Sequence, residues 1–309
     1  MNRTLIIGDA HGCLHEVRQL IKQASFERSG DVIFLGDLVD RGPDTPGLLE
    51  YFDFHRPRFR AVMGNHELKH INHFEKGAPL ALSQKLVKRL MTKDEYTYAV
   101  WLMRSFCRYI DLGPALLVHG FFAPGVPLER QEDKTLLGVL SKERELEKKY
   151  QPRPWFEFYD GPKPLIVGHK VYNGDAPLIW NQKVFGLDTG CVFGGRLTGL
   201  ILPEWELVSV PAERNYWAAN LDRLAEQKAK TILKDLKAEH EKVVAGLSLA
   251  HGYFGLPPKE QAKLYAKRVA AHPLRKLLND LRKGKEINLS DVLRCVPKSM
   301  LLGDSAEDE

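Results

Sequence analysis

The feature that most constrains the fold of this 309-residue chain is how its strand-like segments end. Short apolar runs rich in β-branched residues recur through the first two thirds, and five of them lead directly into loops that combine glycine with aspartate, asparagine or histidine. The carboxyl ends of parallel strands meet at one edge of a sheet, so we expect these loops to converge. The loops are Gly8-Asp9-Ala10-His11-Gly12, Gly36-Asp37-Leu38-Val39-Asp40-Arg41-Gly42, Gly64-Asn65-His66-Glu67, His119-Gly120 and Gly168-His169.

The order of the apolar segments predicts an α/β fold. A helical spacing of apolar residues separates the first two strands, and residues 68–112 read as a mostly helical cap inserted into the α/β body. The predicted strands are Thr4–Ile7, Val32–Leu35, Arg60–Met63, Ala115–Val118, Leu165–Val167, Val184–Leu187, Leu197–Leu202 and Leu207–Val210.

After residue 211 the apolar residues recur at helical spacing and no longer form short strand-like runs. We predict a catalytic domain over residues 1–211, an all-helical extension over 212–303 and an acidic tail over 304–309. The extension carries 18 Lys and Arg against 10 Asp and Glu, whereas residues 1–211 carry 27 against 26. The extension is therefore either a basic platform for an anionic partner such as nucleic acid, or a helical brace or dimer contact with a solvated basic face.

Composition excludes several other classes of protein. With 44% hydrophobic and 28% charged residues the chain is too apolar to be disordered, and it has no apolar run long enough for a membrane span. Its four scattered cysteines indicate neither a zinc knuckle nor a disulfide framework. Without a signal peptide, these features predict a cytoplasmic protein with no membrane partner.

The side chains in the five loops are of the types that bind divalent metals. Carboxylate, imidazole and amide oxygen together suit ions such as Mn²⁺, Fe²⁺ or Zn²⁺. The flanking glycines allow tight turns that bring the backbone close to an ion cluster. Taken singly, each Gly-Asp pair would be read as an ordinary turn.

Together and in this order, the loops resemble the phosphoprotein phosphatase (PPP) family of calcineurin-like metallophosphoesterases, whose signature is GDxHG, GDxVDRG, GNHE and two later histidine loops. The resemblance covers about residues 4–210. It implies a β-sandwich flanked by helices and a hydrolase with two divalent metal ions. Manganese is the first choice of metal, with iron, zinc or nickel as alternatives.

The resemblance also implies a role for each motif residue. Asp37 would bridge the two metals, and Arg41 and Asn65 would bind substrate phosphate. His66, oriented by Asp40, would protonate the leaving group after a hydroxide shared by the metals attacks phosphorus in line. The implied metal ligands are Asp9, His11 and Asp37 for the first ion, and Asp37, Asn65, His119 and His169 for the second.

Two further segments indicate a branch of the family. Tyr159–His169 and Leu187–Thr198 resemble bacterial and phage-type enzymes, which include small Ser/Thr protein phosphatases, diadenosine tetraphosphate hydrolases and RNA-repair phosphatase modules. Asp40 and Glu67 are more similar to the protein phosphatases, so we predict a phosphomonoesterase of the phospho-Ser/Thr type. The alternatives are hydrolysis of dinucleoside polyphosphates or nucleotides, or an RNA-end phosphatase that uses the basic extension.

A second phosphate-binding arginine is expected in this family between the two later histidine loops. Several arginines in the sequence could supply it, and the motifs do not choose among them. The candidates between the loops are Arg130, Arg144 and Arg153. Arg196, which follows the second loop in a glycine-rich segment, is a further candidate. For Glu67 we expect a loop-stabilising role and no chemical one.

Overall fold

A computed structural model describes residues 2–251 and 253–302 as a mixed α/β chain with two sheets. The strands are β1 (Thr4–Ile7), β2 (Asp31–Phe34), β3 (Phe59–Ala61), β4 (Ile110–Asp111), β5 (Leu116–Leu117), β6 (Leu165–Val167), β7 (Leu178–Trp180), β8 (Val184–Gly186), β9 (Asp188–Thr189), β10 (Arg196–Leu202) and β11 (Glu206–Pro211). The helices are α1 (Leu14–Gln23), α2 (Thr45–Phe54), α3 (Asn65–Lys76), α4 (Leu82–Lys88), α5 (Lys93–Arg104), α6 (Asp133–Leu136), α7 (Leu140–Tyr150), α8 (Tyr216–His251), α9 (Pro258–Arg268), α10 (Arg275–Arg282), α11 (Leu289–Cys295) and α12 (Lys298–Leu302). Short 3₁₀ helices cover Leu128–Arg130, Trp155–Phe158 and Tyr253–Gly255.

The first sheet has the order β11-β10-β1-β2-β3, with β9 also pairing with β10. Strand β1 runs parallel to β2 and antiparallel to β10, and β2 runs parallel to β3. Three parallel strands in a row place the loops that follow them at one edge of the sheet. These are the loops that begin at Gly8, Gly36 and Gly64.

The second sheet has the order β4-β5-β6-β8-β7, in which β5, β6 and β8 are parallel. Its inner face and that of the first sheet share one apolar cluster, so the sheets form a sandwich. The cluster draws on β1, β2 and β10 from the first sheet and on β5, β6 and β8 from the second. The predicted fold class, a metallophosphoesterase sandwich with helices and a helical C-terminal region, is confirmed.

The inserted segment differs slightly from the prediction for residues 68–112. Helix α3 begins at Asn65, immediately after the motif glycine, and α4 and α5 follow. Ile110–Asp111 is a strand that pairs with β5, because Ile110 turns into the core of the sandwich. The cap is therefore helical over its first three elements only.

The chain divides into two compact units, Met1–Ala218 and Ala219–Glu309. The second unit has its own apolar core, contributed by α8 to α12. The predicted acidic tail, 304–309, lies outside the described residues. None of the helices in the described ranges combines the length and apolar character that crossing a membrane requires. The cytoplasmic location stays a prediction.

Candidate active site

The predicted site residues share an unusual backbone conformation. Five of them have φ in the left-handed region, which is costly for residues other than glycine and persists where the surroundings force it, commonly at functional sites. They are His11 (φ 42°), Asp37 (49°), Asp40 (74°), Arg41 (63°) and His169 (68°). Backbone bonds between the first two loops help to force it, since His11 N donates to Asp37 O at 2.8 Å and Gly12 N to Leu38 O at 2.7 Å.

Asp37 lies at the centre of the converging loops. Its Oδ2 is 3.4 Å from His119 Nε2, 3.8 Å from His11 Nε2 and 4.0 Å from His66 Nε2. It belongs to two separate groups whose ligand-type atoms all lie within 4.8 Å of one another, one with His11 and His66 and one with His119 and His169. A carboxylate shared by two such groups has the position of a bridging ligand.

Two of the histidines are oriented by carbonyl groups. His11 Nδ1 lies 2.7 Å from Val39 O, and His119 Nδ1 lies 2.8 Å from Leu35 O. A carbonyl can only accept, so each Nδ1 donates, and the Nε2 atom of each ring faces Asp37. Such outer hydrogen bonds are what fix the ring orientation of metal-binding histidines. Asn65 Oδ1 joins the same group at 3.2 Å from His119 Nε2.

Asp9 is held by the loop that carries His169. Both of its carboxylate oxygens accept from the His169 amide, at 2.9 and 3.1 Å, so the side chain joins the first strand loop to the loop after β6. It is part of neither three-residue group, and the group that holds His11 contains His66 in its place. Its assignment as a ligand of the first metal stays a prediction.

The electrostatics of this buried cluster fit positive ions. Burial and the nearby Asp188 raise the pKa of Asp9 well above its ordinary value. Burial would lower the pKa of His119, but Asp37, Asp9 and Glu67 together raise it to about 10. A raised pKa at the buried carboxyl group of Asp9 and a raised pKa at the buried imidazole of His119 both indicate a surplus of negative charge. With imidazole, carboxylate and amide donors present, the residues fit a pair of divalent ions.

A second polar network surrounds Asp40, which is fully buried. Its Oδ2 accepts from His66 Nδ1 at 2.7 Å and from Gln84 Nε2 at 2.5 Å, and its Oδ1 accepts from His70 Nε2 at 2.9 Å. The Tyr96 hydroxyl donates to the other ring nitrogen of His70 at 3.0 Å. Although burial favours the neutral acid, His70 and His66 hold the pKa of Asp40 well below its ordinary value. The His66 ring is thus fixed with Nε2 facing the Asp37 side.

His70, Gln84 and Tyr96 were not among the predicted site residues. A signal for His70 was present, because it follows His66 by four positions and therefore lies on the same face of α3. No local pattern in the sequence marks Gln84 or Tyr96, since they reach Asp40 and His70 only through the packing of α4 and α5 against α3.

Glu67 joins two motif loops through three backbone amides. Its Oε2 accepts from Asp37 N at 3.0 Å and Gly64 N at 2.9 Å, while its Oε1 accepts from Leu38 N at 2.8 Å. The loop-stabilising role expected for Glu67 agrees with these bonds.

Arg41 lies beside the histidine cluster. Its Nη1 is 3.2 Å from His11 Nε2, and its guanidinium is 5.5 Å from the centre of the Phe193 ring. The four candidates for a second phosphate-binding arginine either bond to other residues or are exposed. Arg196 donates to the Ser209 side chain at 2.7 Å and Arg153 is paired with Glu157, while Arg130 and Arg144 are exposed. The second arginine therefore stays unassigned.

Helix α7 brings one more charged group to the site. Glu143 Oε2 is 3.7 Å from His169 Nε2, and Glu143 Oε1 accepts from Lys170 Nζ at 2.6 Å. The neighbouring His169 and then Lys170 outweigh burial and lower the pKa of Glu143 to about 2. The carboxylate therefore steadies the loop that carries His169.

The comparisons with known proteins agree with this geometry. The chain belongs to the calcineurin-like phosphoesterase family, whose profile matches residues 2–195. It is accordingly a metallophosphoesterase, a hydrolase of a family that uses two divalent ions, and the resemblance to the phosphoprotein phosphatases is confirmed.

Two curated relatives and one solved structure are similar to this chain. A symmetrical bis(5'-nucleosyl)-tetraphosphatase of Edwardsiella ictaluri (strain 93-146) is 35% identical over 123 residues, which is 39% of this chain and 44% of that protein. The enzyme of the same name from Proteus mirabilis (strain HI4320) is 36% identical over 109 residues, which is 35% of this chain and 40% of that protein. The chain thus spans less than half the length of these relatives. A solved structure provisionally described as a diadenosine tetraphosphatase aligns with a TM-score of 0.56 at 26% identity, covering 68% of this chain and 94% of that one.

Proposed function

We propose that this protein hydrolyses dinucleoside polyphosphates, with diadenosine tetraphosphate as the reference substrate. The observation that carries the proposal is the similarity to symmetrical bis(5'-nucleosyl)-tetraphosphatases, combined with a cluster in which Asp37 is shared by two histidine groups. The sequence alone favoured a protein phosphatase, and the relatives favour the alternative. Similarity to the provisionally described diadenosine tetraphosphatase supports the same substrate class.

The proposed metal centre uses the ligands implied by the motifs. Two divalent ions, Mn²⁺ in the first place, would lower the pKa of a water molecule and neutralise charge on the phosphate oxygens. Asp37 supplies the shared carboxylate, and buried imidazoles supply nitrogen donors whose orientation is already fixed. The proposed ligands are Asp9, His11, Asp37, Asn65, His119 and His169.

The remaining residues act on the substrate. Arg41 presents its guanidinium beside His11 and binds the oxygens of the reacting phosphate, helped by the Asn65 amide. Asp40 holds Nδ1 of His66, so that a proton on Nε2 points towards the leaving group. The symmetrical reaction releases two molecules of ADP, each a stable anion that needs little help from an acid.

A chelator experiment tests the proposed function. The protein is stripped with EDTA, and products from diadenosine tetraphosphate are separated before and after Mn²⁺ is restored. We expect ADP to form only with metal present. Failure to release ADP at any Mn²⁺ concentration would overturn the substrate assignment, and release unaffected by EDTA would overturn the metal centre.

A second candidate, phosphomonoester hydrolysis, is favoured by the 2.7 Å bond between Asp40 and His66. Serine or threonine alkoxide is a poor leaving group, and a histidine held by a carboxylate is the acid that such a group needs. The two functions are separated by comparing kcat/KM for a phosphoserine peptide and for diadenosine tetraphosphate in the same Mn²⁺ buffer. An RNA substrate with a terminal phosphate in this panel tests the predicted use of the basic extension.

A further inference from the structure

A large apolar side chain is exposed at the rim of the proposed phosphate site. Phe193 is 42% exposed, although its ring lies 5.5 Å from the Arg41 guanidinium and so next to the group that binds phosphate. Val171, two residues after His169, is 38% exposed. It lies near the loop of Phe193, since a Cβ added to Gly190 would be 3.6 Å from Val171 Cγ2. Apolar side chains beside a few well-placed polar groups are the combination that ligand sites commonly use.

The loop that carries Phe193 is held by its own backbone hydrogen bonds. Phe193 N and Gly195 N both donate to Gly190 O at 2.9 Å, and Gly194 N donates to Cys191 O at 3.0 Å. Gly194 has a φ of 90°, and a Cβ there would lie 3.1 Å from Asn215 N, so this turn requires glycine. A backbone held in this way fixes where the ring is attached, so the loop loses little conformational entropy when a ligand covers the ring.

We propose that Phe193 is the nucleobase subsite, on which one base of the substrate stacks while Arg41 binds the adjoining phosphate. This deepens the proposed function and depends on it for the identity of the substrate. Arg41 contacts both His11 and the Phe193 ring, so a phosphate and a base joined by one ribose would meet these two side chains together. The ring suits any nucleobase, because every base has a π-face and stacking needs no particular hydrogen-bond pattern.

Binding measurements test the subsite without catalysis. Protein loaded with Mn²⁺ is titrated with ADP and, separately, with pyrophosphate, which carries the same two phosphates and no base. We expect ADP to bind more tightly than pyrophosphate. In Phe193→Ala the affinity for ADP should fall about 5- to 150-fold, the range for one stacked base, while that for pyrophosphate changes less than about twofold.

Three variants separate base stacking from the simple filling of space and from a general loss of structure. Phe193→Trp should keep the affinity for ADP and report binding through its indole fluorescence, whereas Phe193→Leu should behave like Phe193→Ala. Phe54→Ala removes an equally apolar ring, 83% exposed on α2, and should bind both ligands as the wild type does.

The outcomes distinguish this inference from the proposed function. If wild-type protein fails to cleave diadenosine tetraphosphate, the proposed function is wrong. If it cleaves that substrate but Phe193→Ala weakens ADP and pyrophosphate equally, or neither, the nucleobase subsite is wrong. An equal loss for phenyl phosphate and ADP would also overturn it, because the ring would then serve aryl groups or aromatic side chains in general.

Discussion

At the scale of single residues, Asp37 lies next to proposed metal ligands and to the proposed acid, His66. One oxygen of its side chain faces the Nε2 atoms of His11, His66 and His119, and the other accepts from the His66 amide at 3.1 Å. Burial alone would raise the pKa of Asp37, but these imidazoles hold it well below its ordinary value. The group is therefore a carboxylate, as a bridging ligand must be.

The first prediction concerns that charge. Asp37→Asn keeps the shape of the side chain and removes the negative charge that two ions would share. We expect fewer than two bound Mn²⁺ per chain by elemental analysis, and a fall in kcat/KM of about 100-fold or more, since even outer-shell changes at metal sites cost 10- to 100-fold. Asp175→Asn, at an exposed loop position, is the matched control. Two bound ions and full activity in Asp37→Asn would contradict the bridging role.

The second prediction concerns His66. His66→Asn should slow hydrolysis of a phosphoserine peptide by about 10²- to 10⁴-fold, because the serine alkoxide must be protonated as it leaves. The loss for diadenosine tetraphosphate should be much smaller, because ADP leaves as a stable anion. Steady-state kinetics on both substrates, with metal content measured in parallel, provide the comparison. Equal losses on the two substrates would count against an acid role.

At this scale, the sequence could reveal only those site residues that a local motif marks. Gly-Asp and Gly-Asn-His after a strand are visible in the sequence, so Asp37, Asn65 and His66 could be found. Their glycines also matter sterically, since a Cβ on Gly64 would lie 2.1 Å from Asp37 Oδ1. Phe193 could not be found in this way, because its position beside Arg41 depends on two loops about 150 residues apart in sequence.

At the scale of elements, the inserted helices support the acid as well as covering the sandwich. Helix α3 supplies His66 and His70, α4 supplies Gln84 and α5 supplies Tyr96, and all four side chains are buried around Asp40. The sequence predicted a helical segment here from its apolar positions. It could not show this polar inner face, because the partners of a buried polar group depend on tertiary packing rather than on helical spacing.

The third prediction tests this support. His70→Leu removes the donor to Asp40 Oδ1 and should lower the free energy of unfolding by about 1.5–3 kcal/mol, the usual value for a hydrogen bond to a charged group. Tyr96→Phe removes only a neutral hydroxyl bond and should cost about 0.5–1.5 kcal/mol. Urea denaturation near pH 7 measures both. A cost for Tyr96→Phe larger than that for His70→Leu would contradict the network.

The pH dependence of the same variants supplies a control. The pKa of Asp40 is depressed in the folded protein, so its contribution to stability is complete above its unfolded value of about 3.9 and is lost as pH falls towards the folded value. The difference between wild type and His70→Leu should therefore be largest near neutral pH and should narrow below about pH 4. A difference that stayed constant into acid would assign the cost to packing alone.

At the scale of the whole molecule, the boundary between the two units does not coincide with the predicted one. Domains were predicted to meet between residues 211 and 212, whereas the compact units meet between Ala218 and Ala219. Residues 212–218 contain the start of α8, and the apolar spacing of this helix continues across the boundary. Helical spacing predicts which residues are buried but not which core receives them, so the sequence placed this segment with the extension.

Residues 212–218 are attached to the rest of the first unit by specific bonds. The buried carboxylate of Glu16 accepts from the Tyr216 hydroxyl at 2.7 Å and from Glu213 N at 3.2 Å, and Trp217 N donates to Val192 O at 3.2 Å. A chain ending at Pro211 loses all three contacts and leaves a buried carboxylate unsatisfied, at a cost of about 1–3 kcal/mol for that group. For a unit of this size each kcal/mol lowers Tm by about 2–4 °C.

The fourth prediction follows from these contacts. A chain ending at Pro211 should melt several degrees below one ending at Ala218 when both are followed by circular dichroism. Tyr216→Phe in the full-length protein removes one of the bonds and should reproduce part of the difference. Equal melting temperatures for the two shortened chains would show that residues 212–218 contribute nothing to the first unit.

The chain ending at Ala218 also tests the basic extension. It should hydrolyse diadenosine tetraphosphate nearly as well as the full-length protein, because every proposed site residue lies before Ala218. If the extension binds polyanions, the shortened chain should lose activity on a phosphate-terminated RNA, and the dependence of that activity on salt should flatten, since fewer counterions are released on binding. We expect this loss to be confined to the RNA. Unchanged activity and an unchanged salt slope on RNA would reject the platform and leave the positive charge of residues 212–303 as a solvated surface.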